Sequence, residues 1–139
     1  MNILVIDAQG GGLGKQVITA LKKNFPDMDI TAVGTNTMAT GVMLKAGASH
    51  AATGENAVVV SSRKADIIIG PMAIVIADSM FGEITPAMAL AVAQSNAKRI
   101  LIPFNHCDNI VVGIHDYNVT ALIQEAIEEV TKTLPSRQP

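Results

Sequence analysis

Apolar positions along the chain alternate between short unbroken runs and longer one-face stripes. Asn2–Asp7 is a continuous apolar run closed by an acid, the pattern of a strand buried on both faces of a parallel sheet. Leu13, Val17, Ile18, Leu21 and Phe25 then share one helical face, with Lys22 and Lys23 near the C-terminus and Pro26 as the stop. Asp29–Gly34 reads as a second strand. Thr35-Asn36-Thr37 offers a cap for a short helix that runs to Ala46 and is closed by Gly47. Ser49–Thr53 fits a brief third strand.

The middle of the chain is less regular. Val58-Val59-Val60 within Glu55–Arg63 favours a strand, but the next clear strand, Asp66–Gly70, needs a crossover before it. That requirement predicts a helix. Met72–Ile84 is apolar, interrupted by Gly82, and fits no element. Thr85-Pro86 opens a helix to Asn96 that is apolar nearly all round, so burial on more than one side is expected, with another subunit as a possible cover. Lys98–Phe104 is the next strand and Ile110–Ile114 offers a further one. Asn118 caps a last helix whose stripe is Val119, Leu122, Ile123, Ala126, Ile127, Val130 and Leu134. The sum is one three-layer α/β domain over residues 1–134 with a mostly parallel sheet, and a frayed tail over residues 135–139.

Composition narrows the function. The chain has 139 residues, 49% of them hydrophobic, and a net charge of −2, which excludes disorder as the main state. Ten Lys and Arg against twelve Asp and Glu argue against nucleic acid as a partner. Cys107 is the one cysteine, so no disulfide forms within a monomer. No apolar run reaches the roughly 18 residues of a membrane span, and Ile3–Ile6 is too short for a signal peptide. The expectation is a soluble cytoplasmic protein with no membrane contact. Charged residues are only 16%, against roughly 25% in an ordinary domain. A covered apolar surface, and hence a homo-oligomer, is expected.

In a parallel sheet, ligands bind beyond the carboxyl ends of the strands. The polar and small residues gather there, at Asp7–Gly14, Thr35–Thr37, Thr53–Asn56, Gly70-Pro71 and Asn105–Asn109. The sharpest motif is Gly10-Gly11-Gly12-Leu13-Gly14, whose backbone N–H groups suit an anion at a helix start. Three named motifs compete for it. The dinucleotide pattern needs Gly where Lys15 stands. The phosphate-loop pattern meets Gln9 and Gln16 instead of Gly and a hydroxyl residue. The short-chain-dehydrogenase spacing comes nearest, with Ala8 for its first Gly, but the Tyr-x-x-x-Lys pair is absent, since Ala121 follows Tyr117 by four. A tight turn and a phosphate contact both stand open for these glycines. The second strand ends in Gly34-Thr35-Asn36, where an NAD site carries an acid and an NADP site a base. Capping and ligand contact are both open for Thr35 and Asn36, and a nucleotide or NAD(P) is the candidate cofactor.

Asn105-His106-Cys107-Asp108-Asn109 is the second polar cluster. It reads as a polar turn around a small buried Cys107, as a ligand contact through Asn105 and His106, or as a nucleophile with its base. No usual metal spacing appears among His106, Cys107, Asp108 and His115, so no metal is expected. Thr53–Asn56 fits either a cap or a ligand contact. Asp78 and Glu83 read as a carboxylate pair or, in preference, as solvated loop acids, the seven Met as filler, and His50 as structural without a partner.

Segments spread over nearly the whole chain carry a resemblance. They are Asn2–Gln16, Gly34–Asn36, Lys45–Ala48, Ala52–Ala57, Lys64–Pro71, Gly82–Ala89 and Asn105–Gly113. Together they resemble a family of small bacterial proteins known only as a domain of unknown function. Ala8 departs from that pattern, where Gly is common. The resemblance implies a Rossmann-like fold and no established activity or catalytic residue. Two functions follow as expectations. One is binding of a nucleotide, dinucleotide or phosphorylated small molecule at Gly10, Gly11, Gly12, Leu13 and Gly14, with Lys15 adding charge. The other is a non-catalytic regulatory or assembly subunit on a degenerate Rossmann domain.

Overall fold

The computed structural model describes residues 1–104, 108–115 and 118–135. Five strands form one parallel sheet in the order β3-β2-β1-β4-β5. They are β1 (Ile3–Asp7), β2 (Ile30–Gly34), β3 (His50–Thr53), β4 (Ile67–Pro71) and β5 (Lys98–Ile102). The helices are α1 (Gly12–Asn24), α2 (Thr37–Lys45), α3 (Glu55–Lys64), α4 (Pro86–Gln94) and α5 (Val119–Thr133), with a short 3-10 turn at Met72–Val75. Every strand pair is parallel, and β1 sits between Ile30–Gly34 of β2 and Ile67–Ile69 of β4.

Two cores flank the sheet. Ile3, Val5, Ile67 and Ile69 point to one face and pack under Leu13, Val17, Ile18 and Leu21 of α1, Ala39 and Met43 of α2, and Ile123, Ile127 and Val130 of α5. Leu4, Ile6, Val33 and Ile68 point to the other, against Val58 of α3 and Met88, Ala89 and Val92 of α4. Alternation within each strand feeds both layers, which is why β1 and β4 read as unbroken apolar runs. The α3 crossover forms as the parallel pairing of β3 and β4 demands, and its valines bury only Val58 fully.

Three caps form as the sequence indicates. Asn36 Oδ1 accepts from Ala39 N at 2.9 Å, Thr85 Oγ1 from Met88 N at 3.2 Å, and Asn118 Oδ1 from Ala121 N at 3.1 Å. Several boundaries differ. α4 ends at Gln94 rather than Asn96, and β5 ends at Ile102 rather than Phe104. Ile110–Ile114 is not a strand. Ile110 and Val112 are 88% and 92% exposed and Gly113 has φ +91°, so this stretch turns outside the sheet and β5 remains its edge. α4 buries Met88, Ala89 and Val92 but leaves Leu90 exposed, so the chain itself covers one side of that helix. His50 does meet a partner, with Nε2 3.5 Å from Asp29 Oδ1 on an exposed surface.

The first turn requires glycine at Gly11 but not at Gly12. Gly11 is the N-cap of α1 at φ +75°, and a Cβ there would lie 2.8 Å from the Ala39 Cα. Gly12 has open space around a would-be Cβ. Gly11→Ala is therefore expected to cost about 1–3 kcal/mol through left-handed strain and the backbone clash. Gly12→Ala should stay within about 0.5 kcal/mol of the parent. Urea unfolding of the two variants side by side checks the contrast.

Candidate functional site

The strand order fixes where a ligand crevice can lie. Connections leave β1 toward β2 and β3, then return to β4 and β5 on the other side. The order reverses between β1 and β4, and the crevice opens beyond their carboxyl ends. A cleft of about 280 Å³ lies there. Asp7, Gly10, Gly12, Gln16, Met80 and Phe104 are among its walls. A larger groove of about 490 Å³ runs between α3 and α4, but no strand-end residue lines it.

The turn into α1 is built on a buried carboxylate. Asp7 is 3% exposed and accepts from Ala8 N at 2.8 Å and from Gly14 N at 2.7 Å. One of the free N–H groups at the start of α1 is thus already bound by the chain's own acid. Gly11 N donates to Ala8 O at 3.1 Å. Among the described residues, the N–H groups of Gly10, Gly12 and Leu13 have no partner. Burial foremost pushes the Asp7 carboxyl up from 3.8. The Gly14 and Ala8 amides pull it back, and the negative Glu83 adds to the rise.

Glu83 is the member that sequence reasoning misjudged. It is half-buried, and its Oε1 accepts three hydrogen bonds: from Gln9 N at 2.9 Å, Thr35 Oγ1 at 2.8 Å and Asn36 Nδ2 at 2.9 Å. Asn36 Nδ2 also donates to Gln9 O at 2.9 Å. Thr35 and Asn36 therefore direct their side-chain donors at Glu83 and the first loop, while Asn36 caps α2 with its oxygen. Partial desolvation pulls the Glu83 carboxyl upward, but the bonds from Gln9, Thr35 and Asn36 outweigh it and hold the group below 4.5. The 76–84 segment that carries Glu83 is tightly wound. Met80, Phe81 and Gly82 all have left-handed φ values of 56°, 59° and 83°. Buried Met80 and Ile84 pin it, Ser79 Oγ donates to Ala73 O at 2.7 Å, and Asp78 N donates to Ile84 O at 2.7 Å. Only the isolated Gly82 in an apolar run signalled a turn here, and nothing in the local sequence tied Glu83 to a loop 74 residues away.

Other candidates fall elsewhere. Lys15 is exposed and lines a groove between α1 and α5, so it brings no charge to the cleft. Thr53 hydrogen-bonds Thr40 at 2.6 Å, Gly54 caps α3 without a side-chain contact, and none of Thr53–Asn56 lines the cleft. Asp78 is exposed. Asn105, His106 and Cys107 lie outside the described residues. Phe104, the last described residue before them, lines the cleft. Among the described residues no group of three His, Cys, Asp or Glu could hold a metal ion. No helix is long and apolar enough to cross a membrane.

Asp7 generates a pH test. Its folded carboxyl binds a proton more tightly than the unfolded chain's does. Its contribution to stability is therefore full below about pH 4 and is lost as pH rises through the raised folded value. The stability of the parent minus that of Asp7→Asn should fall as pH rises from about 4 through the raised Asp7 value. Urea unfolding at several pH values measures this, and a difference that grows with pH would contradict the burial argument.

No curated protein matches the chain. Among solved structures, a dodecameric FMN-dependent UbiX-like decarboxylase from Escherichia coli O157:H7 is similar over 100% of both chains, at 15% identity and a TM-score of 0.49. The family described as "Domain of unknown function (DUF3842)" matches residues 2–135, and the chain belongs to that family.

Proposed function

We propose that the protein binds a phosphate-bearing small molecule, a nucleotide foremost, in the crevice beyond β1 and β4. The observation that carries this reading is the pair of N–H groups of Gly12 and Leu13 at the start of α1, on the wall of that cleft, which have no partner among the described residues. Two adjacent amides at the positive end of a helix suit one phosphate oxygen pair. Gln16, one turn further along, supplies a neutral donor and acceptor at the same wall. Asp7 opposes an anion while ionised, and its raised pKa lessens that opposition. Sulfate keeps its charge across the working range, so its binding should tighten as pH falls through the raised Asp7 value.

Open space at Gly12 allows a clean test, because a Cβ there has no neighbour within 4 Å and its backbone carries no left-handed strain. Gly12→Val should keep a native far-ultraviolet circular dichroism spectrum and lose any nucleotide-induced or phosphate-induced thermal shift. A ligand at 100 times its Kd raises stability by roughly 2.7 kcal/mol, so the loss is readable. Equal shifts in parent and variant would reduce the glycine loop to a turn.

A second reading, an assembly subunit, draws on exposed apolar side chains. Phe81 is 100% exposed in its left-handed turn, and Leu90, Ile110 and Val112 are exposed with it. Self-association would cover them. Light scattering at micromolar concentration should give at least two chains of 14.5 kDa, and a clean monomer would remove this reading.

A further inference from the structure

β5 has β4 on one side and no strand on the other among the described residues. Lys98 N donates to Asp66 O at 2.9 Å, so Lys98, Ile100 and Ile102 turn their backbone N–H and C=O groups toward β4. Arg99 and Leu101 alternate with them and present theirs outward, where no described residue meets them. Pro103, next in that series, has no N–H and closes it. The opposite edge is less open, since Ala52 O of β3 already accepts from Thr40 Oγ1 at 3.3 Å.

A groove of about 290 Å³ runs between β5 and α5, with Ile100, Ile102, Leu122 and Ala126 among its walls. Glu125, Glu128 and Glu129 line it too, and of these only Glu129 has an ion pair among the described residues, to Lys132 at 3.1 Å. Lys98 shares the α5 face of the strand with Ile100 and Ile102, by alternation. It is exposed, with no ion pair among the described residues. α5 runs against β5: Val119 lines the cleft beyond the carboxyl ends, and Leu134 lies by Met28 ahead of β2. One edge thus carries a free cation at its start and free acids along its helix.

We infer that this edge pairs with β5 of a second copy, antiparallel about a two-fold axis at Ile100, joining two sheets into one. The inference rests on the assembly reading for the second copy and supplies its surface. In this register Arg99 faces Leu101 of the second copy, and the reverse, so the outward groups satisfy one another. An axis at Leu101 would instead set Arg99 against Pro103, which offers no N–H. An axis normal to the sheet keeps both α5 helices on one side. Lys98 then comes opposite Ile102 of the second copy, on the face that carries its Glu125 and Glu128. Lysine ordinarily blunts a sheet edge. Here the register parts the two Lys98 side chains and sets each beside acids, so the residue that deters other strands admits this one.

The test weighs the intact chain by sedimentation from about 5 to about 500 μM. The parent should form a dimer that weakens at about 0.5 M salt. Arg99→Pro removes one outward N–H and leaves the β4 ladder whole. It should raise the dimer Kd at least about tenfold over Arg99→Ala, which keeps the N–H. Lys98→Glu should raise it as much, and adding Glu125→Lys with Glu128→Lys should restore it to within about threefold of the parent. Should Arg99→Pro not fold, the charge swap decides alone. Hydrogen exchange at the Arg99 and Leu101 amides should slow as chain concentration rises. A dimer that ignores Lys98→Glu, that is not rescued by the swap, or that leaves both amides in fast exchange overturns the β5 pairing. If Phe81→Ser with Leu90→Ser then dissociates it, the assembly reading stands on those apolar residues instead. A monomer over the whole range overturns the assembly reading and this inference together.

Discussion

The joint between β1 and α1 is held by one buried carboxylate, and the site's geometry hangs from it. Asp7 bonds Ala8 N and Gly14 N, fastening the strand's last residue to the first turn of the helix it leads into. Gly14 must be glycine beside it, since a Cβ would meet the Asp7 Cβ at 3.0 Å and the Met43 side chain closer still. α1 thereby lies close over the sheet, with Val17, Ile18 and Leu21 seated in the core. A buried charge is costly unless hydrogen-bonded, and the two short bonds are what make Asp7 tolerable there. The same bonds decide which helix donors remain for a ligand. Gly14 N is taken, whereas Gly12 and Leu13 keep theirs.

A second carboxylate ties together the loops beyond the sheet's carboxyl edge. Glu83 Oε1 gathers the loop after β1, the end of β2 and the wound segment after β4 at a single atom. Left-handed Met80 and Phe81 each carry a backbone cost of order 1–3 kcal/mol, which persists because the surrounding contacts over-determine the turn. Ile84 and Met80 are buried on either side of it, so the loop is anchored where it enters and leaves the core. Phe81 then has no room but outward, and its full exposure follows from the turn that aims Glu83 inward.

Much of the architecture was legible because the strands are two-faced. Ile3–Ile6 and Ile67–Ile69 feed both cores, so they stand out as apolar runs, while α1 and α5 each bury one stripe and stand out as helices. The caps Asn36, Thr85 and Asn118 were legible because one side chain meets one amide three residues on. Ile110–Ile114 misled for the opposite reason: its apolar residues are exposed, and apolar alternation alone does not say whether a sheet edge receives it. Of the candidate site, Gly10–Gly14 was visible as a loop. Thr35 and Asn36 were visible as polar strand-end residues, but their partner was not. Glu83 lies 47 and 48 residues from them, in a stretch with no period of its own, and only the return of the chain to β4 brings it back.

Donors and acceptors at the strand ends show why two carboxylates can coexist beyond the carboxyl edge of the sheet. Asp7 points under the loop and is shielded from solvent. Glu83 stands at the β2 side, held by three donors on Gln9, Thr35 and Asn36. Each acid is therefore matched by the protein's own N–H and O–H groups, and the amides of Gly12 and Leu13 lie outside both sets. The two acids also couple: the charge of Glu83 contributes to the rise of the Asp7 pKa, so the inner carboxylate is easier to protonate while the outer one stays ionised. Their environments differ by burial rather than by residue type. The buried acid, short of water, is pushed toward its neutral form, and the half-buried one, rich in donors, toward its charge. Negative charge is thereby reduced beside the helix start and kept at Glu83, on the β2 side of the first loop.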